Sequence, residues 1–260
     1  MRIVVCIKQI LDPDTIRISR SQQAIDDRGA KKIMNPPDRW ALDAALRIKE
    51  TDPSVEVIAL SVGDTGVEDI LREAMALGCD RAILLSDAYI NKARSAGLAQ
   101  IVAAAIRRLR NVQLVMTGHM ALDTGSGTLG PRLAIELGDW PVLMNVDKLQ
   151  LEGNHVSGLQ YADDKYYISS YPLPAVATIL ETPQYPRYPN GAEIINAYRL
   201  RNVEVWSSLS LGIDPAQLPA PTTGRQLRLP PARQLGTVIE GSPAEAAEAL
   251  VSMLKVQRIL

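Results

Sequence analysis

The chain has 260 residues, 47% of them hydrophobic and 22% charged, with a formal net charge of −1 and no Phe. The apolar fraction excludes a disordered chain, and the near-zero charge excludes a general nucleic-acid binder, which needs a basic field to meet phosphate. Two cysteines, Cys6 and Cys79, cannot build a disulfide framework and fit a reducing compartment.

The length suits one large α/β domain or two small ones. The run Ile3–Ile7 is too short for a signal peptide, and Ala96–Ile106, broken by Gln100, falls short of the roughly 20 residues that span a bilayer. A soluble cytoplasmic protein without membrane insertion is expected.

Arg2–Lys8 is apolar and rich in β-branched residues, which predicts a buried strand. Asp12–Lys32 is polar and reads as a loop or hairpin excursion. Met34-Asn-Pro-Pro-Asp38 then opens a helix whose apolar face is Ala41, Leu42, Ala45 and Leu46. Val55–Ser61 is the second strand. Val67, Ile70, Leu71, Ala74 and Met75 recur at helical spacing, with Gly78 placed to end that helix. Arg81–Leu85 is the third strand. Leu98, Ile101, Val102, Ala105, Ile106 and Leu109 form one helical stripe, and Arg107, Arg108 and Arg110 sit in the last turn, where the helix dipole favours cations.

Val112–Thr117 is the fourth strand. A glycine-rich segment and a short helix closed by Gly138 follow, then a fifth strand at Pro141–Val146. Strands separated by helices imply an open, mainly parallel sheet covered on both faces. Lys148–Glu152, His155–Tyr161 and Lys165–Tyr171 read as a short antiparallel meander, with Gly153-Asn154 as a turn. Pro174–Leu180 is a further strand, and the proline-interrupted segment Thr182–Gly191 an irregular loop. From about Ser207 to Gly236 the chain is proline-rich and aperiodic, an extended arm. It ends in a helix opened by the capping box Ser242-Pro-Ala-Glu245. A lone helix on an arm must dock on its own domain or on another chain.

Candidate chemistry gathers at the carboxyl ends of the strands, where open α/β sheets bind ligands. The segment Thr117–Pro131 follows a strand and feeds a helix. Gly118, Gly125, Gly127 and Gly130 permit tight turns, free amides at the helix start attract anions such as phosphate, and Asp123, Ser126 and Thr128 add side-chain partners. The spacing is neither a Walker A motif nor a dinucleotide GxGxxG. The ends Cys6–Gln9 and Ser61–Gly63 should share that edge. Asn35 and Asp38 either reach the crevice or serve only as turn chemistry. His119 lies in the glycine-rich loop, and His155 reads as a surface strand residue. No Ser/His/Asp order, HExxH or paired-cysteine motif exists, so redox chemistry here needs a cofactor.

Taken together, several segments resemble the beta subunit of electron transfer flavoproteins, including its FixA-type members. Val5-Cys-Ile-Lys-Gln9 is similar to that family's first strand, and Met34–Glu50 to its NP-x-D helix. Ala59–Gly63, Ala74–Ala82, Gly138–Pro141, Leu173–Val176, Pro186–Pro189 and Glu240–Ala247 match in order. The resemblance implies an adenine nucleotide-binding, Rossmann-like domain over residues 1–206 and an arm over 207–260 that docks on a larger alpha subunit. It implies an electron carrier rather than a classical enzyme. An FAD would be shared with the alpha subunit, and AMP or a second FAD held in this chain. A dehydrogenase would donate electrons and a second oxidoreductase accept them. Thr15–Ile18 and residues 29–35 are similar to the bifurcating and FixA-type members, which points to the second FAD. The nucleotide-binding residues implied are Cys6, Lys8, Asn35, Asp38, Ser61, Gly63, Gly118 and Ala121 to Gly130, of which Asp123, Thr124, Gly125, Ser126, Gly127, Thr128 and Leu129 form the loop. Against the family loop A-I-D-(G/D)-D-(T/C)-(A/N)-Q-(V/T)-G, Gly125 replaces the second acidic residue and Thr128 the Gln. In the partner-recognition loop, Gly191 replaces the family's Leu. The other reading is a stand-alone adenine-nucleotide-binding module without a redox role.

Overall fold

The computed structural model describes residues 1–19, 24–93, 95–214, 216, 218–219 and 236–260. Residues 220–235 of the expected arm lie outside them. The described strands are β1 (Arg2–Cys6), β2 (Gln9–Leu11), β3 (Arg17–Ser19), β4 (Ala24–Asp26), β5 (Lys32–Met34), β6 (Glu56–Val62), β7 (Arg81–Leu85), β8 (Val112–Gly118), β9 (Val142–Glu152), β10 (His155–Ala162), β11 (Lys165–Pro172), β12 (Ala175–Ile179) and β13 (Glu204–Trp206). The helices are α1 (Pro36–Thr51), α2 (Glu68–Leu77), α3 (Ser95–Leu109), α4 (Leu129–Glu136), α5 (Gly191–Arg199) and α6 (Pro243–Val256). None is long and apolar enough to cross a membrane.

Nine strands form one sheet in the order β11-β10-β9-β12-β8-β1-β6-β7-β13. From β9 to β13 every neighbouring pair is parallel, and β10 and β11 add an antiparallel extension. The expected α/β architecture is therefore present. The polar excursion contains two small ribbons, β2 with β5 and β3 with β4.

Because side chains alternate across a strand, β1 feeds two cores. Ile3 and Val5 pack with Leu42 and Leu46 of α1 and with Leu71 and Met75 of α2. Val4 and Cys6 pack with Ile101 and Ile106 of α3 and with Leu133 of α4. Aliphatic residues fill both layers, as a chain without Phe requires.

Three departures from the expected elements have clear causes. The strands expected at 141–146 and 148–152 are one strand, β9. Its first half pairs in parallel with β12 and its second half with β10, so the charged pair Asp147-Lys148 marks a change of neighbour, not a break. Helix α5 follows the proline-rich loop. Asn190 caps it, the side chain accepting from the Glu193 amide at 2.9 Å, and this Asn-x-x-Glu start is visible in the sequence. The three-residue edge strand β13 pairs with β7 and is too short to carry a periodic signal.

The chain divides into two compact units, Met1–Ile18 with Ile25–Arg225 and Ser19–Ala24 with Gln226–Leu260. In the first, the Asp87 carboxylate accepts from the Ser208 amide and hydroxyl at 2.7 and 2.6 Å, and Leu211, Ile213 and Leu218 pack on the second core. In the second, α6 carries its capping box, with the Glu245 carboxylate accepting from the Ser242 amide at 2.8 Å. None of the residues of α6 is buried.

Asp38 ties the sheet to α1. Its carboxylate accepts from the Lys8 amide at 2.9 Å and the Gly118 amide at 3.1 Å, joining the ends of β1 and β8 to the first turn of the helix. The approach is close enough to require glycine: a Cβ at Gly118 would lie 2.6 Å from the Pro37 carbonyl carbon and 2.6 Å from Asp38 Oδ1. Gly118→Ala should therefore cost about 1–3 kcal/mol, read as a lower midpoint in thermal unfolding. Burial pushes the Asp38 carboxyl up to about 7, against hydrogen bonding from Asn35 and the Gly118 and Lys8 amides and the charge of Lys8. The folded chain thus holds this proton more tightly than the unfolded chain, whose carboxyl titrates near about pH 4. Stability from this group is complete below about pH 4 and is lost as pH rises through about 7. Asp38→Asn removes that titration. The difference in unfolding free energy between the two proteins, from denaturant titrations, should change across pH 4–7 and level off above it.

Candidate functional site

Strands β1, β6 and β7 step outward on one side of the sheet, and β8 starts the other side beside β1, parallel to it. The order in which strands are added reverses at that point, so the loops leaving β1 and β8 part and open a crevice. A cavity of about 700 Å³ occupies it. Lys8 and Gln9 after β1, Val62 and Gly63 at the end of β6, and Thr117 to Ala121 at the end of β8 form its walls. Residues 123, 124 and 126–129 of the loop close one side, with Arg132 from the first turns of α4. Ile90, Ala93 and Leu98 add apolar wall, and Ile10, Leu11 and Lys32 of the first ribbon line another part.

Most of the expected site residues meet here: Lys8, Asp38, Gly63, Gly118, Ala121, Asp123, Thr124, Ser126, Gly127, Thr128 and Leu129 all line the cavity. Five do not. Cys6 is buried in the second core, and burial with the nearby Asp38 charge pushes its thiol up to about 12, so it is no nucleophile at neutral pH. The buried Ser61 hydroxyl donates to the Ile7 carbonyl at 2.7 Å and fastens β6 to β1. Gly130 lies against Thr178, whose methyl a Cβ would strike. Gly125 sits at φ +62, a turn position that favours glycine, with its amide on the Ala121 carbonyl at 2.7 Å. Asn35 is fully buried behind the loop. Its Nδ2 donates to the Met120 carbonyl at 2.9 Å, and its Oδ1 accepts from the Leu122 amide at 3.1 Å.

Charge in the cavity is balanced among Lys8, Lys32, Arg132, Asp38, Asp64 and Asp123. Lys8 Nζ meets both Asp123 oxygens, at 2.7 and 2.6 Å, and so bridges the end of β1 to the loop. Gln9 Nε2 donates to the Gly66 carbonyl at 2.8 Å and steadies the turn after β6. His119 lines the cavity, and its Nδ1 is the one buried side-chain nitrogen or oxygen among the described residues without a hydrogen-bond partner. No group of three or more His, Cys, Asp or Glu among the described residues is arranged to hold a metal ion. Lys32, Ile90 and Arg132 were not legible as wall residues, because the first two come from segments that fold back onto the crevice. Arg132 follows Gly130 by two positions and was the most findable of the three.

The arrangement supplies cations, hydroxyls and a helix start at one part of the cavity and aliphatic surface at another. That combination binds an anionic ligand with an apolar ring and contains no nucleophile paired with a base.

Comparison with known proteins agrees with this geometry. Residues 23–203 match the electron transfer flavoprotein domain. The chain is 32% identical to the caffeyl-CoA reductase-Etf complex subunit CarD of Acetobacterium woodii, over 100% of both chains. It is 31% identical to the electron transfer flavoprotein subunit beta of Thermoanaerobacterium thermosaccharolyticum, again over 100% of both. Its identity to protein FixA of Azorhizobium caulinodans is 28%, over 97% of this chain and 93% of that one. The chain belongs to the electron transfer flavoprotein family, and within it to the beta subunits that serve electron transfer.

Proposed function

We propose that the cavity between the ends of β1 and β8 holds an adenine nucleotide and that this chain pairs with a larger alpha subunit, with a redox-active FAD shared between them. The observation that carries the reading is the composition of the cavity wall. Lys8, Arg132, Ser126 and Thr128 and the loop amides suit phosphate, Asp64 and Asp123 suit ribose hydroxyls, and Val62, Ile90 and Leu98 suit a base. The unpartnered Nδ1 of His119 is a further polar group that a ligand would satisfy. A cavity of about 700 Å³ is large enough for either AMP or a second FAD. A flavin supplies one- and two-electron chemistry when bound; the side chains around it bind, orient and exclude water.

Two surfaces support a partnered chain. Helix α6 presents Leu250, Val251 and Met253 exposed, and the alpha subunit covers them. The loop before α5 is pinned to α1 by Arg187, whose guanidinium meets Asp43 Oδ1 at 2.6 Å and Glu50 Oε1 at 2.5 Å. Tyr185 and Tyr188, 77% and 78% exposed, present their rings to a dehydrogenase donor or an acceptor oxidoreductase.

Co-expression with an alpha subunit should yield a yellow heterodimer. Acid release and chromatography of its nucleotides should give either two FAD per heterodimer or one FAD with one AMP. A complex with no adenine nucleotide beyond the shared FAD would sink the reading of the cavity. Leu250→Asp combined with Val251→Asp in the full chain should abolish co-purification of the alpha subunit and leave the circular dichroism of this chain unchanged. Retained co-purification would remove α6 from the interface.

A further inference from the structure

We infer that Asn35 is a positioning residue for the nucleotide: it sets the backbone of the loop after β8 and does not touch the ligand. The inference rests on the nucleotide reading of the cavity. Asn35 stands at the N-cap of α1, where an Asn side chain ordinarily accepts from an amide of the first turn. Here it makes no such cap. Its side chain turns to the loop 85 residues downstream, donating to the Met120 carbonyl and accepting from the Leu122 amide. These are the two backbone groups that flank Ala121, so the side-chain amide does for the loop what a neighbouring strand does for a ladder. Only a side chain with a donor and an acceptor on one carbon can make both bonds at once. Asp lacks the donor and Leu lacks both.

Main-chain bonds hold Asn35 itself in place. Its amide donates to the Lys8 carbonyl at 2.8 Å, and its carbonyl accepts from the Asp38 amide at 3.0 Å. The residue is fully buried and absent from the cavity wall, whereas Met120, Ala121 and Asp123 line it. Asn35 therefore transmits the position of β1 and α1 to a loop that is otherwise held at Asp123 by the exposed Lys8 pair. An exposed ion pair alone is a weak restraint. A loop fixed in advance binds without the cost of ordering it, which is how a residue out of reach of the ligand raises affinity.

The test uses Asn35→Leu in the full chain, which keeps volume and removes both loop bonds together with the side chain's hydrogen bonding to Asp38. AMP and FAD are titrated by calorimetry, and amide hydrogen exchange is followed residue by residue in the ligand-free protein. Affinity for whichever nucleotide binds should fall by about 10-fold or more. Exchange should quicken by about 10-fold or more in residues 119–128, while the slowest amides of β1 and β8 keep their rates. A variant that loosens β1 and β8 as much as the loop, or that leaves loop exchange and affinity unchanged, overturns the inference. Should the variant fail to fold, the unaltered protein still decides. Its Leu122 amide should exchange about 10-fold or more slowly than the neighbouring Asp123 amide, and equal rates overturn the role of Asn35. Should the unaltered chain bind neither AMP nor FAD, the nucleotide reading fails by itself, and the exchange rates alone settle what Asn35 does.

Discussion

One carboxylate holds the centre of this molecule. At the point where the strand order reverses, the loops after β1 and β8 diverge, and nothing in the strand ladder keeps their first residues together. Asp38 does so from outside the sheet, accepting one amide from each strand end. The cost is a carboxyl buried among aliphatic layers, visible in how far its proton affinity rises. The crevice, the glycine at 118 and the angle at which α1 enters all follow from that bond pair. Without Gly118 the helix could not come near enough, and without the helix the strand ends would have no common partner.

Helix α1 extends the same constraint outward. Its first turn fixes the crevice side of the sheet through Asn35 and Asp38. One turn further, Arg39 and Trp40 reach the loop before α5: Arg39 lies 5.1 Å from the Tyr188 ring, and the Trp40 indole donates to the Thr182 carbonyl at 3.3 Å. Asp43 and Glu50 then anchor Arg187. A single rigid element thus carries the geometry of the cavity and of the exposed tyrosines, so the two keep a fixed relation without contact between them.

Much of this was legible in the sequence because it depends on local rules. Continuous aliphatic, β-branched runs gave the parallel strands, Pro36-Pro37 and Asp38 gave the start of α1, Gly78 gave the end of α2, and Ser242 with Glu245 gave α6. The strand ends and the glycine-rich loop gave the crevice, since topology alone brings them together. What the sequence hid were roles that depend on contacts across the chain. Asn35, Ser61 and Cys6 stand in the right segment but behind the wall, and a strand pattern does not say on which side of a backbone a side chain works. Lys32 and Ile90 reach the cavity only after distant segments fold over it. Helix α5 had a cap in plain view, masked by three prolines that argue for a loop.

The wall at the end of β8 includes Gly118 and Gly127, which can offer only peptide groups, and this bears on which substitutions a lineage can accept. Amides present the same donors whichever side chain follows them, so a change such as Thr128 in place of a Gln need not redraw that wall. Freedom of that kind is uneven along the loop. Residues 118 and 130 meet Pro37 and Thr178 with no room for one added carbon, whereas the space beside 125 is open and only its positive φ favours glycine. Sequence drift should therefore accumulate at the rim of the crevice and stall at these two close-packed glycines, leaving a site whose shape outlasts its chemistry.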